Sequence, residues 1–182
     1  RLLDADLVLI SPRSKSSISM SGFPKRRLIQ ALAQKEVLSV APVNLNYLLW
    51  RNPENLKTRS ILALGFNPED SLLIDEKFKA KAESLKNPGR VLFDTLSRPE
   101  FGPIEEWYNN GRSIETEVAG KRVKVEGLVE LGPSFGADGN LITSRETFLR
   151  LLSGNPKGSI EIGLIKLSAE SDHQFIKNIL NK

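Results

Sequence analysis

The side chains that most often carry acid-base, nucleophilic or metal chemistry are scarce in this chain, which has one histidine and no cysteine. His173 follows Ser171, a good N-cap for a final helix, and the sequence offers it no evident partner to orient it as a general base. A single histidine cannot build a two-histidine metal site, and the lack of cysteine removes disulfides, thiolate catalysis and most zinc sites. We therefore expect His173 to be a surface residue of a helix.

Carboxylates could supply an acid-base pair, and the candidates are Asp94, Glu105 and Glu106. Adjacent glutamates point in different directions on a helix, and acidic residues after a helix start are favoured by the helix dipole alone. The glycine-rich loop 132–140 lacks the Gly-Lys-Ser/Thr of a phosphate-binding loop and has too few oxygen ligands for calcium. The sequence thus predicts no catalytic residue, no metal site and no cofactor site.

Nucleic-acid binding is another chemistry to weigh, because the formal net charge is +4 and Lys25-Arg26-Arg27 form a basic cluster. Such a cluster is more often a solvated helix face. Ferredoxin-like RNA-binding proteins carry stacking aromatics on two central strands. The corresponding runs here, 5–10 and 59–66, are aliphatic except for Phe66, so the sequence disfavours a nucleic-acid partner.

Apolar periodicity predicts the elements of the first third of the chain. The apolar run 5–10 predicts a strand buried on both faces, and the stripe after Pro24 predicts a helix to about residue 34. A strand over 37–43 is expected to be interrupted by Pro42 and to continue through 47–50. A turn at 52–55 and a strand at 59–66 follow.

The rest of the chain alternates helix and strand patterns. Residues 75–88 are charged and helix-prone, with Phe78 and Leu85 as apolar anchors, and 121–131 alternates as a strand does. The other predicted elements are a hairpin turn at Ala119-Gly120, a helix capped by Ser144 with Thr147, a strand at 160–167 and a final helix after Ser171.

This order of elements predicts an α+β fold with two lobes. Residues 1–74 and 142–182 give the β-α-β order of a split ferredoxin-like lobe, and residues 75–141 form an inserted, mainly β or mixed second lobe. The chain is long enough to bury a core, and no apolar run approaches the ~18 residues of a membrane span. Its two ends suggest a piece of a longer chain.

The stretch 91–104 stands out because Pro99 and Pro103 bracket Glu100-Phe101-Gly102. Proline fixes its own φ and keeps the preceding residue out of the helical region. We expect a stiff surface segment that presents Arg98, Glu100 and Phe101 to a partner. Together with Trp107 and Phe135, these are the predicted interface residues.

Several motifs occur in the order found in one family, and together they span nearly the whole chain. They are Ala5–Pro12, Phe23–Leu28, Trp50–Pro53, Thr58–Leu62, Leu92–Asp94, Ser97–Ile104 and Ser134–Ser144. In these stretches the chain resembles the extracytoplasmic domain of DevC-type ABC exporter permeases of cyanobacteria, relatives of the MacB permease. The most specific parts of the resemblance are 97–104 and 134–144.

The resemblance implies a periplasmic domain of an inner-membrane protein, with a porter-like lobe and a sabre-like insertion. The parent would be a four-span permease that acts as a homodimer with a cytoplasmic ATPase subunit. A membrane fusion protein and a TolC-like outer-membrane channel would complete a tripartite efflux assembly, and motion driven by ATP would be transmitted outward. Relatives of the DevC type are associated with export of heterocyst glycolipid.

Three hypotheses stay open at this point. The first is a non-catalytic coupling and docking domain of an exporter, in which Phe101, Trp107 or Phe135 is exposed and contacts the fusion protein. The second is a stand-alone soluble enzyme on a ferredoxin-like lobe, disfavoured by the lack of a nucleophile-base pair. The third is a single-stranded nucleic-acid binder, whose affinity would depend on salt.

Overall fold

The computed structural model describes residues 4–14, 20–70, 76–132, 137–152 and 158–169, with the single positions 171, 174 and 176. The strands are β1 (Leu7–Ile10), β2 (Phe23–Pro24), β3 (Val37–Arg51), β4 (Thr58–Phe66), β5 (Arg90–Asp94), β6 (Ile114–Val118), β7 (Lys121–Val129), β8 (Asn140–Ser144), β9 (Ser159–Ile160) and β10 (Ile162–Leu167). The α-helices are α1 (Lys25–Gln30), α2 (Glu76–Glu83), α3 (Ile104–Asn109) and α4 (Arg145–Leu151). In this part of the chain, no helix has the length and apolar character needed to span a bilayer.

One long strand, β3, belongs to two sheets. Its first half, 37–43, pairs antiparallel with β10, which in turn pairs with β1. Its second half, 44–51, pairs antiparallel with β4. The 15 residues of β3 correspond to about 50 Å of strand. β3 therefore connects a small terminal sheet (β1, β10 and the first half of β3) to the larger sheet.

The larger sheet closes on itself. Its order is β3-β4-β8-β5-β7-β6, and β6 pairs back to β3 where Val118 lies opposite Trp50. Alternate residues of these strands point inward, as the two-residue period of a strand requires. They form one apolar core: Leu48, Trp50, Ile61, Ala63, Val91, Phe93, Val118, Val123, Val125 and Leu141, with Phe101, Phe148 and others. We call this closed sheet the barrel.

Helices cover the remaining apolar faces. Leu28 and Ala31 of the first helical segment pack on Ile165 of the terminal sheet, and Phe78 of α2 packs on the outer side of the barrel beside Leu92. The predicted N-cap of α4 is confirmed, since Ser144 Oγ accepts a hydrogen bond from Thr147 N at 3.2 Å. The hairpin turn before β7 is confirmed as well, because Ala119 and Gly120 both have positive φ.

The prediction that the first strand is buried on both faces is wrong. β1 is an edge strand that pairs with β10 alone among the described strands, and Val8 and Ile10 are 61% and 45% exposed. A continuous apolar run is ambiguous between a central strand and an edge strand because periodicity does not report how many neighbours a strand has.

Pro42 does not interrupt β3, contrary to the sequence-based expectation. It lies opposite Gly163 of β10, and the pairing with β4 begins only at Asn44. A strand that has a partner on one edge only tolerates proline because its missing N–H can face the open edge. The interruption was thus predicted from a rule for central strands that does not apply here.

The α+β class is confirmed, with a large mixed sheet and few helices. The division of the chain at residues 74 and 142 stays a prediction. Strands from both predicted lobes share the barrel, because β8 pairs with β4 on one side and with β5 on the other. The final helix and His173 fall largely outside the described residues.

Candidate interface at the end of the barrel

Those predicted interface residues that the structure describes lie at one end of the barrel. The strand directions bring together the turn 52–57, the segment 95–113 and the loop 130–139, because β3, β5 and β7 end there and β4, β6 and β8 begin there. Arg98, Glu100 and Trp107 all lie in the segment 95–113. Phe135 belongs to the loop 130–139 but lies outside the described residues. We call this surface the barrel end.

The stiff segment 97–104 is tied to the turn that follows β3. Trp50 Nε1 donates a hydrogen bond to the backbone oxygen of Phe101 at 2.9 Å, and Asn52 Nδ2 donates to that of Glu100 at 3.0 Å. Gly102 has φ +111°, and a Cβ there would lie 2.9 Å from Asn52 Oδ1. Only glycine suits this conformation and this close approach, so the segment is held in one geometry.

The expected exposure of Phe101 is wrong. Its side chain is fully buried, and its ring meets that of Phe93 edge-on with centroids 6.4 Å apart. The 3-10 turn Pro99–Phe101 points this ring into the barrel core. Phe101 therefore anchors the segment, while Arg98 and Glu100 remain exposed on it.

The solvent exposure of Trp107 is intermediate between that of the buried Phe101 and that of the exposed Arg98. It is half-buried and packs against the barrel core, and the Arg112 guanidinium lies 3.5 Å from the centre of its ring. A guanidinium stacked on an indole is a cation–π contact, which holds both side chains in place. Trp107 thus offers part of one face to a partner, with a positive charge beside it.

An ion-pair network joins the segment to the loop 130–139 and to β4. Arg59 and Asp138 are paired at 2.6 Å, and Arg98 Nε lies 2.9 Å from the other oxygen of Asp138. Glu100 completes the network with an oxygen 3.5 Å from Arg59. The hydrogen bond from Arg59 holds the pKa of the Asp138 carboxyl below its ordinary value of 3.8, with the Arg98 charge adding to the effect.

Arg59→Gln should raise the pKa of Asp138 toward its ordinary value, because the first cause of its depression is removed. A depressed carboxyl pKa contributes stability that is present above the unfolded-state value and is lost as pH falls through the folded value. An NMR titration of the Asp138 carboxyl carbon measures the midpoint. A midpoint that is the same in the wild type and the variant would contradict the pairing.

Asp94 is a buried organising residue that sequence reasoning considered only as a catalytic candidate. Its side chain is fully buried and accepts hydrogen bonds from Leu131 N at 2.9 Å, Gly132 N at 3.1 Å and Asn140 Nδ2 at 2.7 Å. It also accepts one from Leu96 N. Asp94 therefore joins the end of β5 to both ends of the loop 130–139, which is a structural role.

Exposed leucines are the part of the barrel end that sequence reasoning missed. Leu56, Leu96 and Leu131 are 58%, 52% and 37% exposed, and each lies in a turn or loop of this end. The available signal was a leucine inside otherwise polar turn sequences, where no core requires it. Apolar side chains beside fixed charges suit contact with another protein.

The described residues contain no group of three or more acidic, histidine or cysteine side chains that could hold a metal ion. The barrel end is a rigid surface that carries exposed apolar side chains and ion-paired charges.

The chain is similar to known proteins in its fold alone. No protein-family model matches the chain, and no curated protein matches it. Among solved structures, the periplasmic region of MacB from Actinobacillus actinomycetemcomitans matches with a TM-score of 0.57 and 13% identity, over 95% of this chain and 78% of that one. The extracellular domain of the noncanonic ABC-type transporter YknZ from Gram-positive bacteria matches with a TM-score of 0.55 and 13% identity, over 96% of this chain and 91% of that one. The chain shares the fold of these transporter domains.

Proposed function

We propose that this chain is a non-catalytic extracytoplasmic domain of an ABC exporter permease, and that it docks a membrane fusion protein through the barrel end. The likeness of its fold to the MacB and YknZ domains over nearly its whole length supports this proposal. The resemblance of its motifs to DevC-type permeases supports the same class. The domain would sit in the periplasm, tethered to the inner membrane by spans outside residues 1–182.

The observation that carries the docking role is the arrangement of the barrel end relative to the terminal sheet. Near the start of the chain, Asp4 pairs with Lys166 at 2.8 Å, so the first described residues lie against the last strand. The barrel end lies at the opposite end of β3, about 50 Å of strand away. A domain held at the terminal sheet would present the barrel end outward.

The wider assembly follows from the same proposal. A separate cytoplasmic ATPase subunit would supply the energy, and two permease subunits would form a homodimer. Beyond the fusion protein, a TolC-like channel would complete the path. The cargo proposed from the DevC resemblance is a glycolipid or a similar envelope component.

Docking predicts that a charged side chain at the exposed leucines weakens the complex. The double substitution Leu56→Asp with Leu96→Asp should raise the Kd for the cognate membrane fusion protein about tenfold or more, because two apolar contacts are lost and two charges are left desolvated. Both sites are exposed, and Leu56 has a positive φ that aspartate tolerates well. Binding is measured by surface plasmon resonance with the purified fusion protein.

The matched control is Leu49→Asp, which places the same charge on an equally exposed leucine of β3, outside the barrel-end turns. Equal affinity of the wild type and the double variant would exclude the barrel end as the docking surface. Peptide mapping of the native parent tests the membrane part of the proposal. Apolar spans of about 20 residues should flank the domain, and a parent that lacks them on both sides would rule out a permease.

A further inference from the structure

The barrel end carries more carboxylates than cations, although the chain as a whole has a formal net charge of +4. Its three segments, 52–57, 95–113 and 130–139, together contain six acidic and three basic side chains. The acidic ones are Glu54, Glu100, Glu105, Glu106, Glu130 and Asp138, and the basic ones are Lys57, Arg98 and Arg112. Residues 133–136, which lie outside the described part of this surface, have no ionisable side chain.

The ion-pair network of this surface is balanced, because it joins two carboxylates to two guanidinium groups. Its members are Arg59, Arg98, Glu100 and Asp138. The other four carboxylates are exposed, and none forms an ion pair with any described residue. Lys57 and Arg112 are the remaining cations of the three segments. The barrel end therefore keeps an excess of negative charge after its ion pairs are counted.

One exposed leucine has an unpaired carboxylate in its own turn. Glu54 precedes Leu56 by two residues, and the backbone N–H of Glu54 donates to Asn52 Oδ1 at 2.8 Å. Asn52 also ties this turn to the stiff segment 97–104, because its Nδ2 donates to the backbone oxygen of Glu100. The backbone of this acidic and apolar turn is therefore held beside the stiff segment.

The other two exposed leucines lie together beside a second unpaired carboxylate. Glu130 directly precedes Leu131 at the start of the loop 130–139. Leu96 lies over the backbone of the same loop, since a Cβ on Gly132 would be 3.6 Å from Leu96 Cδ1. Each exposed leucine of the barrel end thus has free negative charge in its own turn or beside it.

The remaining two unpaired carboxylates lie on α3. Ile104 and Trp107 pack on the barrel core, so Glu105 and Glu106 leave the helix on its solvent side, where both are exposed. A partner that covers the leucines would meet unpaired carboxylates in all three segments. A carboxylate that loses its hydration without gaining a cation is costly, so the complementary surface must supply cations.

We propose that the partner of the barrel end presents a basic surface, with lysine or arginine side chains around apolar ones. The apolar side chains would cover Leu56, Leu96 and Leu131, and the cations would face Glu54 and Glu130. Charge complementarity of this kind speeds association and rejects acidic competitors. This partner chemistry rests on the docking function proposed above, because it concerns the same surface, and it adds the charge by which that surface selects its partner.

The probe is a pair of synthetic helical peptides of about 18 residues with leucines at i, i+4, i+7 and i+11. One peptide carries lysines on both flanks of the leucine stripe, and the other carries glutamates. Fluorescence anisotropy with the complete 182-residue chain should give a Kd about tenfold lower for the lysine peptide, and rising salt should weaken this preference. The net charge of +4 would favour the glutamate peptide instead, so a preference for lysine reports the local charge of the barrel end.

Matched charge reversals locate the contact. Glu54→Lys with Glu130→Lys should raise the Kd about tenfold or more, both for the lysine peptide and for the purified fusion protein. The control is Glu69→Lys with Glu146→Lys, the same change on two exposed carboxylates that follow the opposite ends of β4 and β8. It should alter either Kd less than about twofold, because charges this far from the contact are screened. Circular dichroism verifies that each variant is folded.

Equal affinity for the two peptides, or an equal loss in the two double variants, would overturn the proposal. NMR shifts confined to the terminal sheet on adding the lysine peptide would overturn it as well. If Leu56→Asp with Leu96→Asp abolishes fusion-protein binding while Glu54→Lys with Glu130→Lys leaves it unchanged, docking stands and the basic partner surface is wrong. A lysine peptide that binds at the barrel end of a chain with no affinity for the fusion protein would support the basic partner and overturn the docking function.

Discussion

Asp94→Asn should lower the free energy of unfolding by about 3 kcal/mol, although it changes one atom of a side chain that touches no partner surface. The carboxylate accepts hydrogen bonds from three backbone N–H groups and from the Asn140 amide, so each of these four contacting groups is a donor. An asparagine must direct its own NH2 group at one of them. The resulting donor-donor contact leaves two buried polar groups without a partner.

Urea unfolding monitored by tryptophan fluorescence measures this effect, because Trp50 is buried in the barrel core. The control is Glu130→Gln, the same chemical change on an exposed carboxylate close to the same loop, which should alter the free energy of unfolding by less than about 0.5 kcal/mol. Similar midpoints for the two variants would show that Asp94 does not hold the loop.

The second large effect is expected where β3 changes partners. Glu161 is buried, and its carboxylate accepts hydrogen bonds from Asn44 Nδ2 at 2.9 Å and Leu45 N at 3.0 Å. Asn44 also donates to the backbone oxygen of Ser159 at 3.1 Å. Glu161→Ala removes the acceptor of a buried donor, the Asn44 amide, and of a partly buried one, the Leu45 N–H, and we expect a loss of about 2–4 kcal/mol in the free energy of unfolding.

This substitution should also loosen the connection between the terminal sheet and the barrel. Hydrogen exchange of the amides around Asn44 and Leu45 should become faster by more than the global destabilisation explains. Glu115→Ala, at an exposed position of β6, provides the control. Exchange that accelerates uniformly over the whole chain would mean that Glu161 contributes stability without fixing the joint.

Local patterns predicted local structure well in this chain. The alternation in 121–131 correctly predicted β7 and the inward face of its first half, Val123 and Val125. The pairing register shifts after Val125, so Val129 packs on the outer side of the barrel instead. Ser144 with Thr147 gave the start of α4, and Ala119-Gly120 gave a hairpin turn. In each case the determining interactions lie within a few residues of one another, so the sequence contains them directly.

Features that depend on distant partners could not be predicted. The burial of Phe101 depends on a hydrogen bond from Trp50, which lies 51 residues earlier, and the edge position of β1 depends on β10 near the other end of the chain. The closure of the barrel rests on Val118 meeting Trp50. Periodicity indicates that a residue has an apolar environment, but it does not name the strand that supplies it.

The candidate interface also depends on residues that are distant in the sequence. Proline spacing predicted a stiff segment at 97–104, and the segment is tied by hydrogen bonds from Trp50 and Asn52 with Arg98 and Glu100 exposed on it. It could not show which side of the segment faces the solvent, because the anchors Trp50 and Asn52 belong to another part of the chain. The exposed leucines were missed since an apolar residue in a turn is as easily buried as exposed.

Closure of the barrel limits the ways in which the isolated domain can aggregate. Strands whose backbone groups are already paired on both edges offer no template for edge-to-edge association with another molecule. Among the described strands, the terminal sheet keeps two open edges: that of residues 37–43 of β3, where Pro42 lacks an N–H, and that of β1, whose Val8 and Ile10 are exposed. Self-association of the isolated domain would therefore begin at the opposite end of β3 from the barrel end, and it would leave the proposed docking surface free in small aggregates.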